Sequence, residues 1–444
     1  MRKAWRMMPV PALARFDAAF LRRSGNRLAD WLAVGVALAL PWSTSATSIF
    51  IFAWLLAVLP TSDATAIKRE LATPAGGLPV LLWFLGLIGM LWADVDWIAR
   101  YRGLDSFNRL LLIPLLLAQF RRSDNGIWVA CGFLVSETAV LILSYVLILT
   151  PGLTWRGHVD GVPAHDDIYQ GSAFLVCAFG ALGYAAHCGK KKPAAALGFL
   201  AVAALFIANF AFAMVSRIAL VAAPVLILLF GWRLMRWRGV FAACLAALVL
   251  AGVLWTLSPS LRARVHESLG EFQQYQTSKD ITSLGLHMAF FKESIEIVGA
   301  APLFGHGTGT IAEQFRKVTA GRSGADAVVA DNPHNQTFAV AIQVGAVGAL
   351  VLWAMWIAHF LLFRGQGSSN QEGSSNQGLA SWLGPVVVVE NVVSSTAHSH
   401  LFDFTNGWLY VFGVGVLGGM ALRERAGLPK PVPDSTELRR DRDF

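Results

Sequence analysis

A chain of 444 residues that is 55% hydrophobic and only 14% charged, with a mean hydropathy of +0.54, carries too few charges to clothe a soluble globule. It reads as an all-α polytopic integral membrane protein. The formal net charge of +8 is explained by basic residues gathered on one face of a membrane, which removes any need for a nucleic-acid partner.

Residues 1–27 are basic with scattered apolar positions and are expected to form an amphipathic cytoplasmic segment on the inner membrane surface. The basic start runs into a spanning stretch without a small-residue cleavage site, so no cleaved signal peptide is expected. Apolar stretches then follow at 28–42, 47–59, 77–92, 107–120, 126–149, 169–186, 194–215, 218–232 and 240–257, giving transmembrane helices 1–9 within 28–257. A tenth is expected at 334–363, and an eleventh and twelfth within 379–422. Several fall short of about 20 residues, which leaves room for a merged or re-entrant pair. With the N-terminus placed in the cytoplasm, 24 of the 36 basic residues fall inside, and of the rest 7 lie in one long outer loop. That bias puts both termini in the cytoplasm. Cys131, Cys177, Cys188 and Cys244 lie in apolar stretches or at their inner edge and imply neither a disulfide nor a thiolate zinc site.

The first outer connection of interest holds Asp94 and Asp96 beside Trp97, a D-x-D pattern able to hold a divalent cation but also frequent by chance. The next, between 151 and 172, carries Arg156, His158, Asp160, His165, Asp166 and Asp167. Arg156 is its candidate phosphate ligand, because a guanidinium pairs bidentately with phosphate. Arg217 follows Ser216 at the junction of two apolar runs, where a charge is costly unless it faces a wet cavity or an anion.

The long outer segment, 258–333, reads as two amphipathic helices, with apolar stripes at Leu261, Val265, Leu269, Phe272 and at Leu284, Met288, Phe291, Ile295, Val298. His287 and Lys292 flank the second stripe. In LFGHGTGT, Gly305, Gly307 and Gly309 could offer backbone N–H groups to an oxyanion ahead of a short helix near 311–317, or simply make a tight turn. The segment is too small to fold alone and is expected to cover the membrane part as a lid.

The stretch DNPHNQTFAVAIQVGAVG joins this loop to the next span. Asn332 as N-cap and Pro333 at the first helical position would put His334 in the first helical turn, where the dipole favours a neutral imidazole able to accept a proton. On that register Ala341, Gly345 and Gly348 share its face and form a small-residue seam for a neighbouring helix. Farther on, 364–378 repeats GSSNQ with linker composition. His398, His400 and Asp403 either bind a metal or line the outer cavity. The tail, 423–444, is charged and proline-rich, hence expected to be disordered.

His334 and Asn335, nine residues, Gly345, two residues and Gly348 resemble the signature of the O-antigen ligase family of bacterial membrane glycosyltransferases. The single large outer loop before the motif, its PLFGHGTG stretch and the Ser216–Arg217 pair strengthen the resemblance, which is best between about 213 and 350. It implies a GT-C-like membrane enzyme of the bacterial inner membrane with about 12 transmembrane helices and one large helical periplasmic loop. Such an enzyme moves polysaccharide from undecaprenyl diphosphate to lipid A-core, without a cofactor or metal, among membrane lipids. His334 then corresponds to the motif histidine and Arg217 to an arginine on the diphosphate, with Asn335 and Gln336 beside the donor or acceptor. One departure is His287, where the family pattern favours arginine. Arg156, Arg262, Arg264 and Arg316 are the candidates to replace it. A polymerase using a second lipid-linked glycan as acceptor, or a transporter of such a glycan, is the alternative reading.

Overall fold

The computed structural model describes residues 18–150, 152–153, 155, 161–188, 191–212, 216–364 and 375–426. Among them lie sixteen α-helices and no strand. In chain order these are α1 (Ala18–Ala39), α2 (Thr44–Thr61), α3 (Ala64–Leu71), α4 (Pro74–Gly89), α5 (Trp97–Asn108), α6 (Leu112–Phe120), α7 (Gly126–Leu149), α8 (Asp167–Cys188) and α9 (Pro193–Phe212). There follow α10 (Arg217–Leu257), α11 (Pro259–Ser278), α12 (Ser283–Ala300), α13 (Ile311–Thr319), α14 (Gln336–Leu362), α15 (Ser375–Ser394) and α16 (Phe404–Arg425). The chain is an all-α polytopic membrane protein.

Each of the twelve apolar stretches is helical over most of its length, but they are unequal as spans. Six helices, α2, α7, α8, α10, α14 and α16, are long and apolar enough to cross a bilayer, and α3 with α4 forms a seventh if that bent pair, at 83°, is one span. The expected N-terminal anchor lies largely outside the described residues, and its last part is no separate element, because α1 already begins at Ala18 and continues into the first apolar stretch. Residues 365–374 and 427–444, which hold most of the expected linker and tail, also lie outside the described residues.

Local chemistry explains the boundaries. Ser43, Thr73 and Asp96 each accept a backbone N–H from the first turn of α2, α4 and α5, and Pro74 occupies the first position of α4, where a missing N–H costs nothing. The 41-residue α10 is not one rod. Met235 and Arg236 leave helical geometry, Arg236 with φ +52°, and the backbones of Gly231 and Gly239 meet. The chain folds back there, so the two expected stretches are the two arms of a hairpin.

The seam of small residues expected on α14 lies instead on α16. A side chain at Gly415, Gly418 or Gly419 would strike Leu116, Leu117 or Phe120, so these glycines let α6 lie against α16 at close range. Around that contact Phe107, Ile113, Val411, Val414 and Leu417 are buried in the main core.

On α14 the glycine serves a break. Val344 (φ −129°) and Gly345 (φ +68°) interrupt the helix, and the loop 302–307 enters the gap. Ala346 N–H would ordinarily donate to Ile342 C=O, and Val347 N–H to Gln343 C=O. Here Ala346 and Val347 donate to Pro302 and Leu303 at 2.8 and 3.3 Å, while His306 and Gly307 donate to Ile342 and Gln343 at 2.8 and 2.9 Å. All four groups freed by the break are satisfied, as backbone at membrane depth requires. The loop 302–307 of the segment 258–333 is therefore threaded into α14 rather than merely laid over it.

Candidate active site

The helix carrying the motif histidine starts three residues later than its sequence suggests. Asn335 is the N-cap of α14, its side chain accepting Phe338 N–H at 3.1 Å, and His334 precedes it with φ +51°. Asn332 does not cap the helix. Its side chain accepts the N–H of His334 at 2.9 Å and the hydroxyl of Ser399 at 2.7 Å, holding the left-handed turn that projects the imidazole. Such backbone strain in a polar loop marks a position the surroundings over-determine.

Around His334 stands a set of aromatic and imidazole rings. Phe290 stacks on it at 5.8 Å, His287 meets it edge-on at 4.8 Å, and His398 lies 5.5 Å away, with His400 a further 5.2 Å beyond His398. The Nδ1 atoms of His334, His398 and His400 are buried without a hydrogen-bond partner among the described residues. Burial, then the neighbouring His287 and His398, push the His334 imidazole down to about 4 against the pull of Asp331. The neutral form expected from the helix dipole is thus produced by desolvation and by imidazoles competing for one proton. His287 and His398 are lowered too, chiefly by burial, and fully buried His400 falls to about 3. Asp403 caps α16. Burial raises its carboxyl, but the Asn406 N–H and the His398 and His400 imidazoles outweigh that and hold it below the usual range.

Arg217, first residue of α10, reaches Glu271 of α11 with both terminal nitrogens and lies 3.7 Å from Glu267. Glu271 also accepts Leu284 N–H at the start of α12, so the pair ties a spanning helix to two loop helices. His287, one turn along α12, feels the charge of Arg217 on one side and touches His334 on the other. The structure therefore brings Arg217, His287 and His334 together in that order, with His398 next.

The remaining expected residues stand elsewhere or do other work. Arg262 donates to the carbonyls of Trp255 and Thr256 at the end of α10, Arg264 pairs with Glu267, and Arg316 pairs with Glu313 on its own helix. None of the three reaches the histidines. Arg156, His158 and Asp160 lie outside the described residues. Asn335 donates to Thr396 C=O, and fully buried Gln336 accepts the N–H groups of Leu401 and Phe402, so both pin the start of α14 to the α15–α16 turn. Nor do the glycines of 305–309 offer a free oxyanion cradle. The N–H groups of Gly305, Gly307 and Gly309 donate to Ala301 C=O, Gln343 C=O and the Gln343 side chain.

Among the described residues no three His, Cys, Asp or Glu side chains converge on one point. Asp96 caps α5, Asp94 faces Lys317 at 3.5 Å, and Asp166 caps α8 through Tyr169 N–H. Two participants were not evident beforehand. Glu271 looked like an ordinary charge on an amphipathic helix. Arg109 sits at the edge of an apolar stretch, is buried, and donates to the carbonyls of Phe402, Asp403 and Phe404, bracing the turn that presents His398.

The fold and site define an all-α polytopic membrane protein with a buried histidine group beside an arginine at the head of a helical hairpin. Residues 200–353 match the family model described as O-antigen ligase, and this region, which contains Arg217, Glu271, His287, His334 and Gly345, is of the O-antigen ligase family. No curated protein matches the chain. An O-antigen ligase or polymerase type of function follows for the domain.

Proposed function

We propose that the chain is an O-antigen ligase of the bacterial inner membrane. It transfers polysaccharide from undecaprenyl diphosphate to a hydroxyl of lipid A-core on the periplasmic side, with inversion at the anomeric carbon and without a metal. The observation that carries this reading is the line Arg217, His287, His334 at the outer end of the α10 hairpin. A diphosphate-linked sugar already has a good leaving group, so the protein must remove a proton from the attacking hydroxyl and offset charge on the departing diphosphate. His334, neutral at physiological pH, suits the first task and the guanidinium of Arg217 the second. A cavity of about 520 Å³ lies below Arg217, walled by Leu220, Ala223 and Ile227 of one hairpin arm and Ala246, Leu250 and Leu254 of the other. An apolar cleft starting one turn from the arginine fits a long polyprenyl chain whose diphosphate stops at the surface.

The test uses purified protein with lipid-linked O-antigen and either lipid A-core or a second lipid-linked glycan as acceptor. Product on lipid A-core supports a ligase, and product only on the lipid-linked glycan makes the chain a polymerase. His334→Ala should reduce transfer roughly 100-fold or more while donor still binds. Transfer at the wild-type rate would remove His334 as the base. Cysteines at exposed Ser278 and Ala72 should label with an impermeant reagent from opposite membrane faces, and labelling from one face would overturn the orientation.

A further inference from the structure

A second cavity, of about 540 Å³, adjoins the residue before His334 and shares no lining residue with the apolar cleft at Arg217. Its walls come from α5, from Gly309 and the start of α13, from 331–333 and from the turn 398–403. The segment 331–333 runs directly into His334, and the His398 ring on the cavity wall lies 5.5 Å from the His334 ring. Its size falls in the roughly 300–1,000 Å³ range of small-ligand sites, enough for one or two sugar rings and far too little for a polymer.

Its polar groups divide into those already occupied and those free to receive a ligand. Asp96 caps α5, Asp403 caps α16, and Gln343 accepts Gly309 N–H while donating to Ala339 C=O. Arg102 and Asp331 are exposed at the rim and make no hydrogen bond or ion pair with the described residues, and the Ser106 hydroxyl is likewise free. Phe402 presents a half-buried ring, held at 4.7 Å from Phe107. A carboxylate that accepts two hydroxyls, a guanidinium that donates to ring and hydroxyl oxygens, and an aromatic face against C–H edges are the groups that recognise a sugar with adjacent hydroxyls.

We propose that this cavity is the acceptor site, in which Arg102 and Asp331 hold the acceptor's terminal sugar beside the His334–His398 pair. This rests on the glycosyl-transfer reading given above. Donor and acceptor then meet at His334, Arg217 anchoring one and the cavity the other. Both new residues touch substrate, yet neither touches the diphosphate.

The experiment measures initial transfer rates for the wild type, Arg102→Gln and Asp331→Asn, varying acceptor at fixed donor and donor at fixed acceptor. Deacylated core oligosaccharide serves as competitor. Each substitution should raise the acceptor KM about tenfold, the loss expected for one hydrogen bond to a charged group, and weaken the competitor likewise, with donor KM at the wild-type value. An unchanged acceptor KM in both variants would overturn the site while leaving the transfer reading intact. A rise confined to donor KM would assign these residues to the donor and also overturn it. A wild type that transfers to neither acceptor would remove the reading and this site with it.

Discussion

Arg217 grips Glu271 in a two-pronged ion pair, with N–O distances of 3.0 and 2.8 Å. A guanidinium committed in this way is pre-oriented, but its donors are occupied by the geometry that a diphosphate would use. On the proposed role of Arg217, an incoming donor would compete with Glu271, and the ion pair would lower donor affinity. Glu271→Gln keeps an oxygen for Leu284 N–H while removing the charge. The donor KM of that variant should fall severalfold with α12 still anchored, as read by initial rates and by thermal unfolding. A rise in donor KM would show instead that Glu271 aims Arg217 at the donor.

The pH dependence of transfer should carry the signature of a buried base. His334 is held near 4, so lowering pH protonates and silences it only well below the ordinary imidazole range. The same depression means that protonation favours the unfolded chain: stability associated with this group is full above about 6.5 and declines as pH falls toward 4. The plot of log kcat/KM against pH should be flat from neutrality to about pH 5 and drop below it. His287→Gln, which removes a competing imidazole, should move that drop upward. An acid limb already complete at pH 6 would contradict the burial of His334.

Much of this arrangement was legible in the sequence, for definable reasons. Helix positions followed from runs of apolar residues and from 3.6-residue stripes in the loop, although the stripe residues Leu269, Phe272, Met288, Phe291 and Ile295 are exposed and α12 buries Ala289, Phe290, Ser294 and Ile297 instead. Arg217 and His334 stood out because a charge beside a span, or a histidine in a loop next to one, needs a reason. What failed was the start and the break of α14. Asn332 and Asn335 are equally good caps by residue type, and only Ser399 and the His334 turn decide between them. The glycines of α14 suggested close packing, whereas Gly345 is needed because a distant loop enters the helix there. Partners such as Glu271 and Arg109 were invisible, since their roles depend on contacts across 54 and about 294 residues.

The break in α14 predicts an unusual sensitivity at one glycine. Gly345 has φ +68°, and a Cβ there would strike the carbonyl of Leu303 and the nitrogen of Phe304. Gly345→Ala must therefore expel the loop or distort the backbone, at a cost of about 1–3 kcal/mol or more. It should lower the unfolding temperature clearly in detergent. Gly198→Ala, on α9 with nothing within 4 Å of the added carbon, should leave it unchanged or slightly raised by better helix propensity. Equal behaviour of the two variants would mean that the loop is not seated in the helix.

Metal independence is the sharpest chemical expectation, because charge on a departing diphosphate must be offset by a cation or by guanidinium groups. The carboxylates able to recruit a cation are mostly occupied in holding the fold: Asp96 receives Ala99 N–H at 2.7 Å, Asp166 receives Tyr169 N–H at 2.6 Å, and Asp403 receives Asn406 N–H at 2.8 Å. Asp94 is 90% exposed and sits by Lys317. Arg217, by contrast, stands next to His287 at the mouth of the apolar cleft, with a planar fork that a lysine cannot reproduce. Transfer should therefore survive excess EDTA, Asp94→Asn should stay near the wild-type rate, and Asp96→Asn should do the same, since asparagine caps a helix as well as aspartate. Arg217→Lys should lose most activity. Loss of transfer in EDTA with recovery on adding magnesium or manganese would return the diphosphate to a carboxylate-held cation and leave Arg217 as a tether between α10 and α11.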